Sequence, residues 1–155
     1  MEENRKKSID NLVNELKSKY DVKSLEGLRQ LSKDKGISVI ESDETIVPQA
    51  ISFNDGRRYI LLRDTSLNKD FILGHELGHQ VLHHVNNKKL KINDEEKEAN
   101  YFAEQLLNKR DSYSCAFVNV LFTIAENPIL SFMCVFFPYF DRKNYLNIIK
   151  NYENK

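Results

Sequence analysis

The sequence predicts an α+β domain, because amphipathic helical spacing opens the chain, three short β-branched segments follow, and an apolar helix then crosses the core. With 155 residues the chain can bury one core, which excludes a multidomain machine. Ile9, Leu12, Val13, Leu16 and Tyr20 recur at helical spacing, and Leu25, Leu28 and Leu31 do so again. Ser24 stands where a hydroxyl can cap the second helix, and Gly36 stands where it can close it. Segments 37–41, 47–53 and 58–63 are short and partly β-branched, and Asn54-Asp55-Gly56 suits a hairpin between the last two. The expected sheet is small and antiparallel. Pro48 cannot donate to a ladder, so 47–53 is its expected edge strand.

From about Leu67 to Val85 the pattern is helical and apolar on nearly every side, as in a helix that crosses a core. A Lys-rich loop over 86–93 leads to another helix whose inward stripe is Ala99, Phe102, Ala103, Leu106 and Leu107. Residues 1–110 form the main domain, and 111–155 a helical, apolar-rich extension packed on it. Within 115–139 a membrane span would need about 20 uninterrupted apolar residues. Asn119, Glu126, Asn127 and Pro128 interrupt the run, so it reads as two buried helices rather than a membrane contact. Tyr145, Leu146, Ile148, Ile149 and Tyr152 mark a last amphipathic helix.

Charge and cysteine content narrow the function classes. Lys plus Arg and Asp plus Glu both number 23, so no net field holds the chain on nucleic acid or an anionic membrane. Two cysteines, Cys115 and Cys134, and an N-terminus without a signal segment leave a cytoplasmic location as the expectation.

All four histidines, His75, His79, His83 and His84, fall within ten residues of the core-crossing helix. At 100° per residue His75 and His79 stand about 40° apart, so both rings can reach one ion. Glu76 lies about 60° from His79, beside such an ion rather than on it. This is the H-E-x-x-H pattern, in which two imidazoles hold Zn²⁺ and the glutamate is the general base for water attacking a carbonyl. Leu73, Leu77 and Val81 occupy the other side of the helix, and Gly74 and Gly78 repeat one turn apart where another backbone can approach. His83 is expected one turn along the ligand face, as a cleft-wall residue, and His84 is expected at the surface or core edge. No histidine remains for a third ligand, so a carboxylate must supply it. Asp94, Glu95, Glu96 and Glu98 open the next helix; the wheel sets Glu98 outside the apolar stripe and leaves both Glu95 and Glu96 inside. Glu96 as the partner of a cap at Asn93 is the alternative use of that carboxylate.

FILGHELGHQVLHH (71–84) followed by EKEANYFAEQLL (96–107) resembles the ImmA/IrrE family of metallo-endopeptidases. The resemblance implies a compact, gluzincin-like zinc domain over 1–110. It implies His75, His79 and Glu96 as zinc ligands, Glu76 as the catalytic base, and Asn100 as a polar residue behind the ligands. It also implies a protein partner, a helix-turn-helix repressor of a phage or mobile element, cleaved to relieve repression, with no direct nucleic-acid contact. Family members often follow the double leucine with Met-Pro, where this chain has Asn108-Lys109-Arg110. The rival class is a zinc-binding regulatory module that does not hydrolyse peptide bonds, against which an intact Glu76 argues. Tyr59, Tyr101 and Tyr113 are possible oxyanion donors that no spacing separates.

Overall fold

The computed structural model describes residues 1–43, 50–54, 56–64, 68–84, 92–108 and 142–154. Over them run α1 (Glu3–Lys19), α2 (Leu25–Asp34), β1 (Ile37–Ser42), β2 (Ala50–Asn54), β3 (Arg58–Arg63), α3 (Lys69–Val81), α4 (Ile92–Leu107) and α5 (Arg142–Glu153). Ser24 caps α2 by accepting from the Gly27 N–H at 3.0 Å, and Gly36 follows the helix at φ +67°. A left-handed φ is free of a Cβ penalty only for glycine.

The sheet is mixed rather than antiparallel. β3 lies in the middle; β2 pairs with it antiparallel, Ser52 opposite Ile60, whereas β1 pairs with it parallel, Val39 opposite Ile60. The hairpin signal at 54–56 determines only how β2 meets β3, and nothing local states which side or direction β1 takes. Among the described residues β2 is an edge strand; Pro48 and residues 115–139 lie outside them.

Strand alternation separates two apolar layers. Ile37 and Ile60 face a core built with Ile9, Val13, Leu16, Leu28, Leu31, Leu73, Leu77 and Phe102. Ile40, Tyr59 and Leu61 face the other way, onto Ile148 and Ile149 of α5, while Tyr152 stays 55% exposed. Each fully buried side chain of the Leu, Ile or Phe type contributes about 1.5–3 kcal/mol, so the larger layer dominates the fold. α3 lies in that layer, with residues 71–78 all buried. Gln80 pins it to the sheet by donating to the carbonyls of Tyr59 (3.2 Å) and Phe53 (3.4 Å), and the Ser52 hydroxyl donates to the Glu76 carbonyl at 3.0 Å.

Gly78 permits the approach of α4 to α3. A Cβ there would meet Ala99 Cα and Phe102 Cδ1 at 3.1 Å and the Ala99 carbonyl oxygen at 3.2 Å. At Gly74 the same atom would find only ordinary contacts, Leu107 Cδ1 at 3.4 Å and Ala103 Cβ at 3.6 Å. The close backbone contact is therefore at Gly78, one residue before His79 and one turn from Glu96 on the partner helix.

Candidate metal centre

α3 and α4 bring His75, His79 and Glu96 together, with one possible ligand atom from each lying within 4.8 Å of the others. His75 Nε2 is 3.4 Å from Glu96 Oε2, His79 Nε2 is 3.3 Å from Glu96 Oε1, and the two Nε2 atoms are 3.0 Å apart. Glu95 is half-buried beside this group and not part of it. Glu76 is buried on α3 next to His75. α4 runs from Ile92, so Asn93 falls within the range of the helix.

What stands behind each imidazole decides what its Nε2 presents. His75 Nδ1 is 2.9 Å from Asn100 Oδ1, an acceptor, so Nδ1 carries a proton, and once the ring is neutral its Nε2 lone pair faces the triad. Behind His79 the partner is His84, with the two Nδ1 atoms 3.2 Å apart. His84 Nε2 in turn is 2.9 Å from Glu98 Oε2, which also accepts from Arg5 Nε (3.0 Å) and NH2 (2.7 Å).

His84 and Glu98 depart from the sequence expectation. His84 is 4% exposed and Glu98 6%, so both are buried, and His83 is the exposed one of the adjacent pair. The wheel failed for the histidines because α3 stops at Val81. His83 takes φ +61° and the His84 N–H returns to the His79 carbonyl at 2.9 Å, a Schellman-type closure that folds the His84 ring back under the helix. It failed for Glu98 because the side of α4 outside the apolar stripe is covered by α1, through Arg5. Tyr59 and Tyr101 donate their hydroxyls to Glu153 (3.0 Å) and Asp10 (2.9 Å), away from the triad, and Tyr113 lies outside the described residues.

Electrostatics agree with this wiring. Burial raises the Glu96 carboxyl, but hydrogen bonds from His75 and His79 outweigh it and leave the group far below the usual carboxylate range. Burial lowers His75, yet Glu96 and Glu76 together raise it above an ordinary imidazole. Burial is also the leading effect on His84 and holds it below the ordinary value, although Glu98 acts in the opposite direction. Glu98 is pushed up by burial and brought down further by Arg5 and His84, hence ionised.

The donor set fits a divalent cation. Two imidazole lone pairs 3.0 Å apart and a carboxylate repel one another unless something positive joins them. One proton, the alternative that the raised His75 reflects, serves only part of the set. Nitrogen and oxygen donors from three side chains, two of them imidazoles backed by hydrogen-bond partners, are the pattern that zinc favours where a fourth position stays open.

A family model described as the IrrE N-terminal-like domain, a peptidase family, matches residues 32–118. The chain belongs to this family. Membership in the IrrE N-terminal-like family carries a metallopeptidase-type function, and the matched residues contain α3, α4 and the whole triad. The match begins inside α2 and leaves α1 outside it. No curated protein and no solved structure gave a significant match. Among the described residues no helix is long and apolar enough to cross a membrane. A surface cavity of about 850 Å³ is lined by Arg29, Lys33, Arg57 and Arg58 on the β1 side and contains no triad residue.

Proposed function

We propose that the chain is a zinc-dependent endopeptidase that cleaves a regulatory protein, with a helix-turn-helix repressor as the expected substrate. The observation that carries the zinc reading is the convergence of His75, His79 and Glu96 on one point beside a buried glutamate, Glu76. Zinc held by those three residues would supply Lewis-acid polarisation of a scissile carbonyl and lower the pKa of a bound water to about 7. Glu76 acts as the base that takes the water's proton and returns it to the departing amine. Asn100 holds the His75 ring through its Nδ1–H, which keeps Nε2 aimed at the triad. Burial of the helix around these groups excludes bulk water and strengthens each electrostatic contact.

Substrate enters along β2. That strand is an edge among the described residues and is tied to α3 by the Ser52 to Glu76 hydrogen bond, so an extended peptide pairing along its outer edge would run beside the active-site helix. The repressor assignment rests on the family resemblance.

Glu76→Gln tests the catalytic reading. It preserves shape and removes the base, so zinc binding persists while cleavage of a co-expressed repressor falls by about 10²–10⁴-fold. Undiminished cleavage would overturn the mechanism. Cleavage absent from the wild-type protein while zinc binds would favour the regulatory-module reading instead.

A further inference from the structure

Across the sheet from β2, the other edge among the described residues is β1, and the surface cavity of about 850 Å³ lies at the start of that strand. Its walls come from α2 through Arg29 and Lys33, from the start of β3 through Arg57 and Arg58, and from α5 through Tyr152. Four cationic side chains meet one carboxylate there, Glu41, on a chain whose formal charges cancel. Charge of one sign gathered in a cleft attracts an anionic partner. Two of the cations already hold carboxylates, Arg29 that of Glu41 and Arg57 that of Glu153 at 3.1 Å. Both pairs are partly exposed, and exposed pairs are weak enough to yield to a competing carboxylate. Lys33 and Arg58 have no carboxylate partner among the described residues; Arg58 donates to the Lys35 carbonyl.

Two observations decide the class of anion. α2 ends at Asp34 and lines the cavity with its last turn, through Lys33. A helix C-terminus carries partial negative charge and presents carbonyls, so it disfavours the dense charge of a phosphate, which helix N-termini favour. Single carboxylates spread along an extended chain suit cations spread over two elements. The second observation is the strand itself: the outer side of β1 has no strand paired with it among the described residues, and extended peptides add to such an edge through main-chain hydrogen bonds. We propose that this cavity and the β1 edge beside it dock an acidic, extended segment of a protein, at a site separate from the metal centre. Two strand spacings, about 10 Å, separate β1 from β2, so one protein can lay an acidic segment on β1 while the bond to be cut lies along β2. That role in cleavage deepens the endopeptidase reading and rests on it, whereas the docking does not.

The test is fluorescence anisotropy of a short labelled peptide of alternating Glu and Thr on the full-length chain, in chelator so that neither zinc nor cleavage enters. Binding should saturate, weaken as salt is raised because exposed charges are screened, and be absent for a peptide of alternating Lys and Thr. The double variant Lys33→Gln/Arg57→Gln removes two exposed cations outside the metal centre, so it should melt like the wild-type chain and bind the acidic peptide about 3–30-fold more weakly. Backbone amides of β1 should exchange more slowly with the peptide bound. No binding of the Glu-Thr peptide, equal binding by the double variant, or β1 amides left unprotected would overturn the inference. Tighter binding of inorganic phosphate or of oligothymidylate, weakened by the same double variant, would overturn it in favour of a phosphate-bearing ligand. All of these results leave the zinc reading untouched. Peptide binding by a chain that takes up no zinc at saturation would uphold the docking site and overturn the endopeptidase reading alone.

Discussion

At the scale of single residues, the site was legible wherever chemistry and helical spacing point the same way. His75 and His79 share one face because 3.6 residues make a turn, and that needs no tertiary information. Glu95 and Glu96 were inseparable on the wheel, since both fall inside the α4 stripe. His83 and His84 were assigned the wrong way round because a helix wheel assumes the helix continues, whereas Val81 ends it. His83→Gly therefore has a definite expected outcome. Glycine is favoured at a left-handed position after a helix, and relief of strain there is worth about 1 kcal/mol. Melting temperature should rise by roughly 2–4 °C for a chain of this size, with zinc content unchanged. A loss of zinc would show that His83 reaches the ion after all.

At the scale of elements, the spacing of α3 and α4 determines how close His79 comes to Glu96. Two glycines face α4, but a Cβ at Gly78 would meet backbone at 3.1 Å, whereas at Gly74 the nearest backbone atom, Ala103 Cα, lies at 3.9 Å. Gly74→Ala gains helix propensity, about 1 kcal/mol, and its new methyl lands at ordinary contact distance, so the substitution should stabilise or be neutral. Gly78→Ala forces Ala99 and Phe102 outward, and overpacking of that kind costs about 1–3 kcal/mol, which exceeds the propensity gain. Differential scanning calorimetry of the two variants should separate them in sign, and Gly78→Ala should also bind zinc less tightly because α4 carries Glu96. Equal effects would mean that the helices are not held at that contact. The helices and strands themselves were legible because their apolar periodicities are local. The parallel pairing of β1 was not, since β1 pairs directly with β3 although β2 lies between them in sequence, and no local signal states that non-local choice. The burial of Glu98 was not either, because it depends on α1, far away in sequence.

At the scale of the whole molecule, protons and metal compete for one site, and this gives a pH signature. His75 titrates above its ordinary value of 6.5 in the metal-free fold, so protonated His75 stabilises that state. The contribution is complete below the unfolded value and is lost as pH rises through the folded one. Zinc requires both imidazoles neutral, so its binding releases protons and strengthens as pH rises. The increase in melting temperature on adding zinc should therefore grow steadily between about pH 6 and about pH 8. A zinc increment that does not change with pH would argue against His75 as a ligand.

The most direct measurement is the metal content of purified protein by elemental analysis, on the wild-type chain and on alanine variants of Glu95, Glu96 and Glu98. The wild-type chain should carry one zinc, Glu96→Ala should lose it because an Nε2 pair without its carboxylate holds the ion far less tightly, and Glu95→Ala should keep it. Glu98→Ala should keep it as well, since Glu98 pairs with His84 and Arg5 and is not one of the converging ligands. Absence of zinc from the wild-type chain under saturating conditions, or zinc kept by Glu96→Ala and lost from Glu95→Ala, would contradict the account of the site.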